Sequence, residues 1–380
     1  MTTGGEDWRP TASRARLERR AGALAQVRAF FAKRGVMEVD TPVIVNAPVT
    51  DVHIHSAEVR FPDDDRAASG ATVGESSSPA HLAAASNGAP SATALATTAT
   101  AADARLATAA SVVQPARFFL HTSPEFAMKR LLAAGSGDIY QICHVARGLE
   151  RGRHHNAEFT LIEWYRNGFT LERLMDEVDG LARHVLGPVA TAFASQYVTY
   201  RDAFVGALGL DPLACSLRDL QAAAHDLGFA LAPTSADLAD STRDELLDFL
   251  MAAHIGPKLG RRALTFIHRY PASQAALARL DPTDSRTALR FELYCEGIEL
   301  ANGFHELASA AEQRARFDQD LTERKRRGLP THALDERLLA ALAHGLPDCA
   351  GVALGFDRLL MLAAGATHID DVLPFPTERA

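Results

Sequence analysis

Residues 291–307 read FELYCEGIELANGFHEL, two apolar-rich stretches arranged around Glu296-Gly297. A glutamate followed by glycine at this place suits a two-residue turn, so a strand pair over 291–306 is expected. Counting outward from the turn sets Tyr294 opposite Glu299 and Glu292 opposite Ala301. Strand side chains alternate faces, which makes Glu292 and Glu299 diagonal neighbours on one face. Two such carboxylates suit one divalent ion, and magnesium favours a few carboxylates plus substrate phosphates over an all-protein cage. Taken alone, the hairpin fits two solvated glutamates on an exposed sheet face at least as well.

Upstream, DIYQICHVARGLERGRHHNAEFTLIEWYRNG (138–168) reads as two more strands joined by a basic, glycine-containing loop. Parity puts Phe159, Glu163 and Tyr165 on one face and Thr160, Ile162 and Trp164 on the other. A ring for stacking, a carboxylate and a phenol then line up, as a pocket for a base and a cation or as a mixed sheet face. The loop carries Arg147, Arg151, Arg153, His154 and His155, suited to an anion such as triphosphate, although a solvated basic loop has the same composition. Downstream, GVALGFDR (351–358) puts glycines where backbone can approach a ligand. It also sets Arg358 at a helix start, where cation and helix N-terminus both favour phosphate.

Outside these pieces, residues 13–34 predict a long amphipathic helix with Leu17, Ala21, Leu24, Val27 and Phe31 on its apolar face, Ser13 as cap and Gly35 as stop. It runs into VMEVDTPVI (36–44), where Pro42 suits an edge or interface because it donates no ladder hydrogen bond. From about 63 to 115 the chain turns to alanine, serine, threonine and glycine, too poor in apolar surface to offset ordering, and reads as a flexible insertion between two strands. Residues 117–135 predict a strand, then a helix with Pro124 at its first position. Residues 171–262 read as mostly helical.

The 380 residues are 47% hydrophobic and 23% charged, enough for one large catalytic domain, and a net charge of -8 excludes wholesale coating of nucleic acid. Cys143, Cys215, Cys295 and Cys349 form no CxxC pair, which points to buried free thiols in a reducing compartment rather than a metal cluster or disulfide framework. The N-terminus lacks a signal-peptide h-region and no apolar run reaches membrane-spanning length, so a cytoplasmic protein without membrane contact is expected.

In chain order these pieces resemble the three signature motifs of class II aminoacyl-tRNA synthetases: the helix and strand ending at Pro42, then Arg147 through Glu163, then Gly351 to Arg358. TSPE, HNAEFT, GIELANGF and PASQ are similar to the lysine branch. The narrower resemblance, carried by HTSPEFAMKRLL, HNAEFTLIEWYR, GIELANGFHEL and PDCAGVALGFDRLLMLAAGA, is to the paralogues of lysyl-tRNA synthetase that attach (R)-β-lysine to elongation factor P. Only about forty residues precede Pro42, too few for an anticodon-reading domain, so no recognition of a tRNA anticodon is expected.

The resemblance implies an α+β fold, an antiparallel β-sheet flanked by helices, as one catalytic domain over 13–380 after a flexible 1–12. It implies ATP and Mg2+ as cofactors, elongation factor P as protein acceptor and a homodimer. It further implies that Arg147 and Arg358 are catalytic, holding the α- and γ-phosphates, and that Phe159 stacks on adenine. Gly148, Leu149, Glu150, Asn156, Glu299, Leu300 and Gly355 would complete the ATP site, with Glu292 and Glu299 on magnesium. Ser123, Pro124, Glu125, Glu163, Tyr165, Asn302, Glu306 and Ala353 would surround the amino acid, whose two ammonium groups need paired carboxylates once out of water. Leu149 departs from the family, which usually has a glutamate there, so that Glu150 or the backbone would have to serve adenine. Acylation of tRNA and an inactive regulatory role are the rival readings.

Overall fold

The structure is a computed structural model that describes residues 8–61, 117–148, 150–189, 194–228 and 242–380. The expected insertion at about 63–115, Leu149, and residues 1–7 of the expected flexible terminus lie outside the described residues. The chain divides into one unit of Met1–Val59 with Phe118–Ala380 and another of Arg60–Arg117, and everything below belongs to the first.

Ser13 caps α1 (Arg14–Ala32) by accepting from the Arg16 amide, and Gly35 ends the following turn at φ 66°. The buried stripe of α1 is Ala23, Val27, Phe30 and Phe31, while Leu17 and Leu24 are half-buried. Ala21, expected on that face, is exposed, because the packed face is rotated toward Ala23 and Phe30. Short strands β1 (Met37–Glu38), β2 (Ile44–Val45), β3 (Glu58–Val59) and β4 (Phe118–Leu120) follow. Next come α2 (Glu125–Ala133), β5 (Ile139–Ala146), β6 (Glu158–Asn167) and α3 (Leu171–Leu186). Pro124 occupies the cap of α2 rather than its first turn, and its carbonyl accepts from Met128 at 3.0 Å.

The stretch expected to be helical holds α4 (Tyr200–Leu208), α5 (Leu217–Asp226) and α6 (Arg243–Leu250), but also a strand, β7 (Gln196–Thr199), placed just before α4. Four residues leave too little pattern to read, and Thr199 serves as the cap of α4. The chain closes with β8 (Thr265–Pro271), β9 (Thr287–Cys295), β10 (Ile298–His305), α7 (Ala310–Arg326), α8 (Glu336–Gly345), β11 (Cys349–Gly355) and α9 (Phe356–Ala363).

Eight strands form one sheet in the order β1-β5-β6-β11-β10-β9-β8-β7. The six central strands run antiparallel as expected, and the edges β1 and β7 run parallel to their neighbours. A separate small sheet, β2-β4-β3, brackets the undescribed segment. One face of the large sheet is sealed by α1, α3 and α9 around Val27, Phe31, Trp164, Val178 and Leu360. Phe31 stacks on Tyr140 at 4.3 Å and meets Trp164 edge-on at 5.3 Å, pairs that each contribute about 0.5–1.5 kcal/mol beyond area burial. The opposite face is covered at one end by α2, α7 and α8 through Met128, Phe317 and Leu342, and at the other by α4 to α6 through Phe204, Leu246 and Leu250. Among the described residues, no helix covers the middle of that face.

Asp357 in α9 ties the three signature segments together. Its buried carboxylate pairs with Arg20 of α1 and accepts from the Thr160 amide of β6 at 2.6 Å, while Arg20 also donates to Thr160 Oγ1 at 2.6 Å. All four cysteines are free, with Cys295 and Cys349 buried and Cys143 and Cys215 only half-buried. No helix among the described residues is long and apolar enough to cross a membrane.

Candidate active site

Over the open part of the sheet lies a cavity of about 690 Å³. Cross-strand register explains why residues so distant in sequence meet there. Gln141, Glu163, Ala353, Asn302 and Glu292 are successive partners across β5, β6, β11, β10 and β9, a single transverse row. At about 4.8 Å per strand, Glu163 and Glu292 stand roughly 14 Å apart along that row, enough for an amino acid at one end and phosphates at the other.

The hairpin of β9 and β10 turns at Glu296 and Gly297, with φ of 52° and 75°, the left-handed pair of a primed type I turn. A Cβ on Gly297 would lie 2.7 Å from the Pro257 carbonyl, so the turn also needs its close approach. Tyr294 faces Glu299 as expected, but a bulge between Glu299 and Ala301 shifts the register, and Glu292 faces Asn302 instead of Ala301. Glu292 and Glu299 still share a face. The bulge adds Asn302 to it, which strict alternation from Glu299 would have turned away.

Glu292 is held by Arg290 at 2.5 Å and by the Tyr294 hydroxyl at 2.6 Å. Arg290 lies over the Tyr270 ring and donates to the Gln274 carbonyl at 2.8 Å. The Glu299 side chain is 41% exposed and lines the cavity, and burial there followed by the nearby Glu292 raises its carboxyl to about 7. Glu299 lines the cavity whereas the expected partner Glu292 does not, its oxygens being engaged by Arg290 and Tyr294; carboxylate oxygens of this kind suit a hard divalent cation. Among the described residues, no group of three or more His, Cys, Asp or Glu side chains is placed to hold a metal. Such a cation would therefore need further oxygen ligands from a bound phosphate.

Arg147, Glu150, Asn156, Phe159, Leu300, Gly355 and Arg358 line the cavity. Arg147 lies 5.2 Å over the Phe159 ring and donates from Nε to the Thr122 carbonyl, leaving its terminal nitrogens toward Glu150, 3.8 Å away. Arg358 is fixed by the carbonyls of His154 and Glu299, and His155 Nε2 sits 2.5 Å from its Nη2. Burial, then Arg358, pushes His155 down to about 4, so its ring is neutral and accepts that proton. Asn156 is buried and receives Arg151 and the Thr377 amide on Oδ1. Gly148 does not line the cavity, and its amide donates to the His55 carbonyl at 2.7 Å.

At the other end, Ser123, Glu125, Asn302 and Ala353 line the cavity, with Glu163, Tyr165 and Glu306 buried in the wall behind them. Pro124 is absent from the lining and serves as the helix cap. Glu163 receives the hydroxyls of Ser123 and Tyr165, each at 2.7 Å. Burial, then Glu125, raises Glu163 to about 8, and burial raises Glu306 to about 7 against the pull of Lys129. Gly351 makes room here: a Cβ on it would stand 2.3 Å from the Tyr165 ring and 2.5 Å from Glu306 Oε1.

Sequence reading missed Lys129, whose ammonium lies 2.6 Å from both Glu125 and Glu306. The Glu125-to-Lys129 spacing of four was visible, but on a helix it ordinarily marks an exposed surface pair. Arg290 and Asp357 were missed as well, since neither stands in a pattern that separates it from a surface charge.

A six-stranded antiparallel centre, a basic loop between β5 and β6, and an arginine opening the helix after β11 together define a class II synthetase core. The chain belongs to the tRNA synthetases class II (D, K and N), whose family model matches residues 92–379. It is 45% identical to the elongation factor P–(R)-β-lysine ligase of Vibrio parahaemolyticus, over 97% of this chain and 98% of the relative. The ligase of the same name from Vibrio cholerae is 44% identical over 98% and 99% of the two chains, and that of Salmonella typhi 43% over 98% of each.

Proposed function

We propose that the chain is an ATP-dependent ligase that activates (R)-β-lysine and transfers it to the ε-amine of a lysine in elongation factor P. The observation that carries this reading is near-full-length identity with ligases of that name, and the transverse row of site residues supports it. A carboxylate oxygen of the amino acid attacks the α-phosphorus of ATP, the bond to the β-phosphate oxygen breaks, and aminoacyl adenylate and pyrophosphate result. The deprotonated acceptor amine then attacks the acyl carbon, and AMP leaves with the electron pair.

No enzyme nucleophile enters either step. Arg147 and Arg358 neutralise phosphate oxygens from fixed positions, so catalysis is positioning and electrostatics. Phe159 offers a ring face to adenine, and Glu150 lines the cavity where Leu149 breaks the family pattern. Glu292 and Glu299 would hold magnesium, which when bound spreads the charge developing on the phosphates. Glu125, Glu163 and Glu306 set the end of the site that receives ammonium groups. We read the exposed Met37, Val43 and Ile44 beside β1 and β2 as the contact with a second copy of the chain.

The test is incubation of purified protein with ATP, magnesium and β-lysine or α-lysine, offering elongation factor P or tRNA as acceptor. Intact-mass gain on elongation factor P, greatest with β-lysine, is the expected result. Robust tRNA acylation with unmodified elongation factor P refutes the reading.

A further inference from the structure

Three carboxylates, Glu125, Glu163 and Glu306, gather at the amino-acid end of the cavity with one ammonium, Lys129, in their midst. Lys129 and Glu306 are each 1% exposed, and Glu125 only 14%. Charges this deep are tolerated only when paired, and removing one partner leaves the other uncompensated. Glu306 is boxed in, with Oε2 on Lys129 and Oε1 against the space that Gly351 leaves open. Glu163 has its own neutral donors in Ser123 and Tyr165 and takes no hydrogen bond from the lysine.

Resting on the function proposed above, we propose that Lys129 is a positioning residue for the amino acid. Its ammonium clamps Glu125 to Glu306 across the pocket and cancels one of three buried negative charges. Two remain, the number that a substrate with two ammonium groups neutralises. A substrate with one ammonium leaves a buried negative charge unpaired, so the pocket selects diamino acids by charge count as well as by shape.

Among the described residues, Glu125 shares α2 with Lys129; Glu163 and Tyr165 come from β6; Glu306 follows β10; Cys143 of β5 and Cys349, which opens β11, have thiols held neutral by burial and then by Glu163 and Glu306; and Arg279 bonds the Glu306 carbonyl at 3.2 Å. With Lys129 gone, Glu125 and Glu306 have no opposing ammonium, so ionising both becomes costly and the folded state retains a proton.

The experiment compares the full chain with Lys129→Met and with Lys129→Met/Glu306→Gln, by thermal unfolding and by amino-acid-dependent ATP–pyrophosphate exchange over pH 6 to 9. In Lys129→Met the unfolding midpoint should fall more steeply with rising pH than in the unsubstituted protein. The rise of kcat/KM for the amino acid should move alkaline by about one pH unit, about a tenfold loss at pH 7, with the KM for ATP unchanged. The double variant, freed of the like-charged neighbour, should return toward the original unfolding profile. A Lys129→Met pH profile parallel to the original, or a double variant no better than the single, overturns the inference. Absence of exchange in the unsubstituted protein defeats the functional reading instead, and the unfolding profiles still judge the charge clamp.

Discussion

Replacing Gly351 by alanine should disable amino-acid activation while leaving ATP binding intact. The added Cβ would stand 2.3 Å from two carbons of the Tyr165 ring and 2.5 Å from Glu306 Oε1, so the ring must retreat by about 1 Å to reach ordinary contact. It has nowhere to go, being 2% exposed and paired across the sheet with Ile139. Overpacking of this kind costs about 1–3 kcal/mol, and pulling the hydroxyl off buried Glu163 costs about 1–3 kcal/mol more. Even if relaxation halves the combined cost, about 1–3 kcal/mol falls on the residues proposed to receive the ammonium groups. At about 1.4 kcal/mol per factor of ten, the middle of that range, about 2 kcal/mol, should lower kcat/KM for the amino acid about thirtyfold. Amino-acid-dependent ATP–pyrophosphate exchange measures it, with the KM for ATP as the internal control. A kcat/KM within about threefold of the original, or under about 0.7 kcal/mol, would mean that the Tyr165–Glu163 contact does not shape the site.

Three further outcomes follow from buried charge. Glu163 and Glu306, with folded values of about 8 and 7, bind a cation only when ionised, so the KM for the amino acid should rise as pH falls below about 8. The sign for stability is opposite: both values lie above the unfolded one, so their contribution is present in acid and lost as pH climbs through about 7 to 8, and saturating amino acid should raise the unfolding midpoint most above that window. An amino-acid KM flat from pH 6 to 9 contradicts this. Arg20→Ala strands the 1% exposed Asp357 carboxylate between α1, β6 and α9, and should cost about 3 kcal/mol of stability by denaturant unfolding, with Arg20→Ala/Asp357→Asn recovering part of it.

Much of this site was legible because alternation along a strand is local. Glu163 and Tyr165 share a face whatever surrounds them, and so do Glu292 and Tyr294; the helix of 14–32 declared itself by its cap and its glycine stop. What was not legible depends on partners far away in the chain. Asn302, which the family resemblance supplied, has the wrong parity relative to Glu299 and joins its face only through a bulge that the residue pattern does not announce. Lys129 reads as a solvated partner of Glu125 until Glu306, which is 177 positions further on, closes over it. Strand β7 is four residues long and ends on the threonine that caps the next helix, so helical context hid it.

The position of β11 shows what the fold adds to motifs read singly. That strand, the last in the chain, is inserted between β6 and β10, so Ala353 stands directly between Glu163 and Asn302, and Gly351 between Tyr165 and Phe304. Residues of the third signature segment thereby set the spacing between the second and the 291–307 hairpin. A methyl at 353 projects on the cavity-lining face, whereas the same methyl at 351 would collide with the ring and carboxylate beside it. Two small residues of one strand thus carry different constraints: 351 is fixed by packing inside the protein, and 353 lines the cavity.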